Sequence, residues 1–220
     1  MRRALLIVKI VLALLVAGFL YYTLPRHDVA RITGTEVIRQ DLSSWNRLFH
    51  AGADAGNLRS DTRDLRLVNA QRLTPWLLGL VTAGEQTIVY RNEDTGWDWP
   101  PYFKFDSADV QARAQDLTST VESPRWVVIT RYGIRSRLLS IYPNAIAVRG
   151  IPDDRPADQR ATPPDVRIIP WFNIVFFIAL AVIWGFLRAA WRGLTHRDDE
   201  GEGAGEGPAR RGFLARFRRR

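Results

Sequence analysis

The sequence predicts a membrane protein in which two transmembrane α-helices flank one mainly-β (α+β) domain outside the cytoplasm. Three observations predict it. Two apolar stretches, Ala4–Leu24 and Ile168–Leu187, bracket the chain; a helix of about 20 residues, rising ~1.5 Å per residue, covers the roughly 30 Å of a bilayer's hydrocarbon core. The polar segment between them is long enough for one domain with its own core. The net charge of +8 also lies almost wholly outside that segment: Pro25–Arg167 has 19 basic and 18 acidic residues, whereas the two ends together have 12 and 5. Basic flanks on apolar spans mark the cytoplasmic side, so both termini are expected inside and residues 25–167 outside the cytoplasm. The same distribution speaks against a nucleic-acid partner, which would require a basic face on the folded domain.

The first span is preceded by Arg2 and Arg3, and Lys9 can snorkel back to their interface. Tyr21 and Tyr22 sit where an aromatic belt belongs. A cleaved signal peptide is the rival reading, but no small-residue cleavage site follows the apolar run and Phe19-Leu20-Tyr21-Tyr22 is a poor cleavage region. The segment is therefore expected to be an uncleaved signal anchor, with residues 1–24 as cytoplasmic start and first helix.

Residues 25–150 are expected to form the mainly-β domain. Val29–Arg39 alternates apolar and polar residues, the period of a half-buried strand, and Asp64–Ala70 repeats the pattern. Thr87–Arg91, Tyr102–Phe105, Arg125–Ile134 and Ala145–Val148 are further strand candidates. One helix is expected over Val110–Leu117, capped by Asp106 or Ser107, with Asp109 in its first turn. Leu73–Val81 (LTPWLLGLV) is too short to span a bilayer and reads as a buried strand or hairpin; the alternative is a loop touching the outer membrane face or a partner. Residues 151–167, rich in proline and charge, read as a stalk.

The second span, 168–187, has Trp171 and Trp184 at its two interfaces, followed by Arg188, Arg192 and Arg197. Small residues recur four apart in both spans, Ala13 and Ala17 in the first, Ala181 and Gly185 in the second. That spacing lets helices approach closely and offers a route to packing between the spans or to self-association. The tail, 188–220, combines an acidic glycine linker with RRGFLARFRRR. On a helix Phe213, Leu214 and Phe217 share one face, and Arg216 belongs to the basic remainder. Each basic side chain near an anionic leaflet contributes about 1 kcal/mol, so surface attachment of this tail is the expectation.

Chemistry is harder to find. Cysteine is absent, which excludes disulfides, a thiol nucleophile and cysteine-held metals. The three histidines (His27, His50, His196) fall in separate regions, which disfavours a multi-histidine zinc site. No phosphate loop, dinucleotide fingerprint, nucleophile elbow or zinc-protease pattern occurs, and no cofactor or metal is expected. The densest polar and aromatic stretch is YRNEDTGWDWPPYFKFDSAD, Tyr90–Asp109. Its Trp97 and Trp99 beside Asp94 and Asp98 are the candidate binding residues, suited to a sugar ring or a cationic group. The competing view is a turn at Asp94-Thr95-Gly96 with aromatics filling the core beneath it.

Taken in order, YYTLP at Tyr21–Pro25, ITGTEV at Ile32–Val37, YRNEDTGW at Tyr90–Trp97, PYFKFDSAD at Pro101–Asp109 and YPNA at Tyr142–Ala145 resemble a bacterial membrane-protein family catalogued as a domain of unknown function. The resemblance runs from the first span to about Arg149. Leu73–Val81 and the tail fall outside it. It implies a two-span envelope protein, hence one of the bacterial inner (cell) membrane with both termini cytoplasmic and residues 25–167 periplasmic, and supplies no catalytic residues. The functional expectation is a periplasmic domain that binds an envelope partner or ligand; the alternative is an envelope hydrolase acting on glycan or lipid with carboxylates of Glu93–Asp109. Transport is disfavoured because two spans with so little intramembrane polarity offer no pathway.

Overall fold

The computed structural model describes residues 2–41, 62–76, 81–97, 102–156 and 158–202. It divides into two compact units, Met1–Pro170 and Trp171–Arg220. In the first unit, helix α1 (Arg2–Thr23) leads into strands β1 (Arg26–Asp41), β2 (Thr62–Trp76) and β3 (Val81–Arg91), helix α2 (Ser107–Asp116), and strands β4 (Val127–Tyr132) and β5 (Asn144–Gly150). The second unit begins with helix α3 (Trp171–Glu202).

Both apolar segments form helices. Arg2–Thr23 and Trp171–Arg192 are each 22 residues, long and apolar enough to cross a membrane, and neither has its apolar window buried by the rest of the protein. α1 stops at Pro25, which has no N–H with which to continue it; the last turn closes with Leu24 N–H on the Leu20 carbonyl at 2.8 Å and Thr23 Oγ1 on the Phe19 carbonyl at 2.9 Å.

The strands close into a barrel in the order β1-β2-β3-β5-β4. β1 is long because it serves two neighbours: Arg26–Ala30 pair with β4, and Ala30–Asp41 pair with β2, the latter with a register shift between Ile32 and Gly34. β3 and β5 run parallel and meet at a single pair, Arg91 and Asn144. Asn144 reinforces that short seam with its side chain, accepting from Glu93 N–H and donating to the Glu93 carbonyl, both at 3.0 Å. This strand order, with a helix inserted between β3 and β4, is that of the five-stranded Greek-key barrel known as the OB-fold.

Alternation along the strands builds the core. Ala30 and Ile32 from β1, Val68 and Ala70 from β2, Ile88 and Tyr90 from β3, Val127 and Ile129 from β4, and Ala145 and Val148 from β5 are all buried together. α2 adds Val110 and Ala114, and its buried positions 107, 110, 111 and 114 fall on one helical face. Leu65 and Leu67 lie on the opposite face of β2 from Val68 and Ala70 yet are also buried, so that part of β2 is covered on both sides.

Several expectations need adjusting. Tyr102–Phe105 is not a strand; it is irregular chain ahead of α2. Asp106 occupies the N-cap position of α2 but makes no side-chain capping bond. Leu73–Trp76 ends β2 and Val81 begins β3, with Trp76 opposite Val81, while 77–80 lie outside the described residues. The segment after β5 is tied to the barrel: Ile151 N–H bonds the Trp126 carbonyl, and the Trp126 indole donates to the Arg160 carbonyl, both at 2.9 Å.

Candidate functional site

Four of the five shared sequence motifs meet at one end of the barrel, where α1 enters. β1 starts there, β3 and β4 end there and β5 starts there, because Arg26 pairs with Arg131, Tyr132 with Asn144, and Arg91 with Asn144. The helix end is clamped at this point. Gly133 N–H bonds the Tyr22 carbonyl at 2.8 Å, and the Tyr102 hydroxyl donates to the Thr23 carbonyl. Tyr132 is stacked between them, 6.2 Å from Tyr22 edge to face and 5.1 Å from Tyr102. Gly133 has φ +87°, a conformation side-chain-bearing residues rarely adopt, which explains glycine at the turn that presents this N–H.

Just inside lies a buried ionic set. Asp28 is 7 % exposed and Arg131 6 % exposed. The Arg131 guanidinium holds the carboxylate through Nε on Oδ2 and Nη2 on Oδ1; the Tyr90 hydroxyl donates to Oδ2 at 2.7 Å, and Arg72 Nη1 lies 3.5 Å from it. Burial alone would raise the Asp28 pKa, but the charge and hydrogen bonds of Arg131, the Tyr90 hydroxyl and Arg72 outweigh it and hold it below the ordinary carboxylate value. Burial and the Asp28 charge push the Tyr90 hydroxyl well above its usual value, so it remains a donor.

The segment from Asn92 to Ser107 carries a second network. Lys104, 3 % exposed, donates from Nζ to Asn92 Oδ1 and to the Ala145 carbonyl. Burial lowers its pKa to about 8, with Asp94, Asp106 and Glu93 pulling the other way. Asn92 Nδ2 donates to the Ser107 carbonyl at 2.7 Å and to Gln111 Oε1 at 2.9 Å. Asp94 spans the start of α2: Oδ1 accepts from Ser107 N–H at 2.8 Å and Oδ2 from Ser107 Oγ at 2.7 Å, and Arg66 Nη1 donates to Ser107 Oγ at 2.6 Å. Asp94 thus does from a distance what a capping side chain does locally. Glu93 lies 3.2 Å from Nη1 of the buried Arg91.

Chemically, these groups hold one another. The Asp28 carboxylate is saturated by donors, the Lys104 ammonium is turned onto two oxygens, and the Ser107 hydroxyl is fixed between Arg66 and Asp94. Among the described residues no three His, Asp or Glu side chains come together to bind a metal.

Of the sequence-derived binding residues, Asp94 is committed to α2, whereas Trp97 is 82 % exposed beyond the turn at Gly96. Trp97 packs edge to face on Phe103 and Phe105, ring centroids 5.4 and 5.7 Å away, both also exposed. Asp98 and Trp99 lie outside the described residues, as do Phe213, Leu214, Arg216 and Phe217. Ala13, Ala17, Ala181 and Gly185 are exposed on their helices. The Asp28 set was missed from sequence, although strand parity held the signal: Asp28 shares its face with Ala30 and Ile32, Arg72 with Val68 and Ala70, Tyr90 with Ile88, and Arg131 with Val127 and Ile129.

The fold and this end of the barrel define a class: a five-stranded Greek-key barrel clamped to the end of an apolar helix, with a second apolar helix following in the chain. The chain belongs to the family described as a protein of unknown function, DUF1523, whose match covers residues 1–195. That span includes Leu73–Val81, which the shared motifs had left out, and stops ahead of the basic end of the tail. A relative from Haemophilus influenzae, described as an uncharacterized protein, is 33 % identical over 167 residues, covering 74 % of this chain and 80 % of that one. No solved structure matches.

Proposed function

We propose that this is a two-span inner-membrane protein that holds its barrel at the periplasmic face, where the barrel end beside α1 binds an envelope component. The observation that carries the binding role is the cluster of Trp97, Phe103 and Phe105, three exposed aromatics on a segment whose Asn92, Thr95, Lys104 and Ser107 are buried. Large exposed apolar groups gathered in one place mark an interaction surface. OB-type barrels serve widely as binding modules, with strands 2 and 3 and the loops after β1 and β4 as the usual surface; this is an analogy of fold. The placement rests on the two apolar helices and on the basic residues flanking them.

Of the carboxylates that the hydrolase reading would draw on, Asp94 is engaged at α2 and Glu93 faces Arg91, while Asp106 and Asp109 are exposed and Asp98 lies outside the described residues. The test uses the absence of native cysteine. A single cysteine at Val121, 97 % exposed, will react with a membrane-impermeant maleimide added to intact spheroplasts, while one at Arg2 will react only after lysis. A photo-crosslinking residue at Trp97 will then join the protein to an envelope component. The reverse labelling pattern would refute the placement, and a crosslink-free Trp97 in a correctly placed protein would refute the binding role.

A further inference from the structure

Two loops project from the barrel end to which α1 is clamped, and both carry exposed apolar side chains. On the β3–α2 connection these are Trp97, Phe103 and Phe105, 82, 54 and 58 % exposed; on the β4–β5 connection they are Leu138 and Leu139, 93 and 48 % exposed. The two non-glycine residues described with positive φ are Phe103 at +49° and Ser140 at +50°, one in each loop. A bulky residue held in that conformation marks a segment whose geometry the surrounding structure fixes.

We propose that these two loops are a second membrane contact, seated in the outer-leaflet headgroup region of the bilayer that α1 spans. The proposal rests on the two-span reading and names lipid as the component met by the aromatic cluster.

Continuity with α1 carries the argument. The bilayer boundary on α1 falls at Tyr21–Thr23, where the apolar run ends and aromatic residues begin. Both loops are bonded to that boundary: Tyr102, next to Phe103, donates to the Thr23 carbonyl, and Gly133, at the root of the β4–β5 loop, donates to the Tyr22 carbonyl. Both loops are therefore anchored at the level where α1 leaves the hydrocarbon, and the proposal seats their apolar tips there. Chemistry agrees with position. Trp and Phe partition to the interface, and Leu138-Leu139 follow Arg135 and Arg137, the pairing of apolar insertion with phosphate attraction found in interfacial segments. Arg26, the first residue of β1, is half-buried with its guanidinium over the Tyr21 ring at 4.1 Å, which places another cation at headgroup height. Two carboxylates of the same region turn away, Glu93 toward Arg91 and Asp94 toward Ser107, while Asp106 beside Phe105 stays exposed. By contrast Val121, before β4 and so at the far end of that strand from Gly133, is exposed with no other exposed large apolar residue in the stretch between α2 and β4.

The test uses the full chain reconstituted in vesicles of phosphatidylethanolamine and phosphatidylglycerol, with an environment-sensitive fluorophore on single cysteines at Leu12, Phe103, Leu138 or Val121. Nitroxide lipids, shallow or deep, act as quenchers. The expected result is loss of fluorescence at Phe103 and Leu138 with the shallow quencher, loss at Leu12 with the deep one, and none at Val121. Quenching at Phe103 and Leu138 no greater than at Val121, with Leu12 still quenched, would overturn the loop contact and leave the spans standing. That pattern, together with protection of both positions in native envelopes, would assign the surface to a protein partner instead. An unquenched Leu12 would overturn the two-span reading and the loop contact with it. Phe105 and Leu139 serve as replacement positions if labelling at Phe103 or Leu138 prevents folding.

Discussion

Asp28 shows how a single buried charge organises this barrel. Its carboxylate is met by Arg131, Tyr90 and Arg72, one from each of three different strands, so it ties β1 to β4, β3 and β2 at once. Asp28→Asn leaves Arg131 buried without its counter-charge and is expected to destabilise the protein by about 3 kcal/mol, as breaking buried pairs does. Tyr90→Phe removes one hydrogen bond to a charged group and should cost about 1.5–3 kcal/mol. Denaturant unfolding of the full chain in detergent checks both, and the double variant should cost less than the sum because the two side chains share Oδ2. The depressed pKa of Asp28 fixes the sign of the acid response: its contribution is present above the unfolded value near 3.8 and is lost as pH falls through the lower folded value. Lys104 gives a slope of the same sign in an alkaline window. Its folded pKa is about 8 against 10.5 unfolded, so the folded state binds fewer protons between those values and stability rises with pH across that window. Melting temperature should therefore climb from pH 8 toward 10 in the native chain, and Lys104→Met should abolish the climb.

At the scale of elements, α2 and α1 are both held by groups remote in sequence. Asp94→Ala removes two acceptors from the start of α2 and is expected to cost about 1–2 kcal/mol, with Ser107→Ala costing less because the Ser107 N–H bond survives. Gly133→Ala forces a Cβ into φ +87° and loosens the bond to Tyr22; about 1–2 kcal/mol is the expected loss, read from the same unfolding curves. These long-range ties mark the limit of what sequence patterns disclose. Alternation along Val29–Arg39 was readable because burying one face of a strand demands it; along Asp64–Ala70 it singled out Leu65 and Leu67, whereas the barrel core takes Val68 and Ala70 from the other face, and the helix was legible from Asp109 and the helix formers of Val110–Leu117. Tyr102–Phe105 misled because its aromatics read as strand, whereas the chain there bends to bring Lys104 inward and Tyr102 onto α1. The Asp94 cap was illegible for a different reason: it lies 13 residues from the Ser107 it serves, and cap patterns look only a few residues ahead. Barrel closure was equally hidden, since a single β3–β5 pair completes it.

For the molecule as a whole, the expected consequence is a barrel that does not swing on its first helix. Pro25 limits the backbone between α1 and β1 at its one fixed φ, and the helix end is gripped from outside the covalent connection by Gly133 and Tyr102, with Tyr132 packed on both Tyr22 and Tyr102. A flexible tether would have needed only a polar linker; here the motifs at Tyr21–Pro25, Tyr90–Trp97, Tyr102–Asp109 and Tyr142–Ala145 converge on the joint instead. Fixed orientation matters if one face of the barrel is to meet the membrane plane, because a freely turning domain would present that face only part of the time and its apparent affinity would fall in proportion. The rigidity is measurable within this one unit. Spin labels on single cysteines at Leu12, in the middle of α1, and at Val121, before β4, are expected to give one narrow distance distribution in the reconstituted protein. Tyr102→Phe combined with Gly133→Ala removes the hydroxyl bond to Thr23 and disturbs the N–H bond to Tyr22, and the same pair of labels should then give a broadened distribution while the barrel still unfolds cooperatively. An unchanged narrow distribution in that variant would mean that the aromatic packing of Tyr22, Tyr102 and Tyr132 holds the joint by itself, and Tyr132→Ala would then be the substitution that frees it.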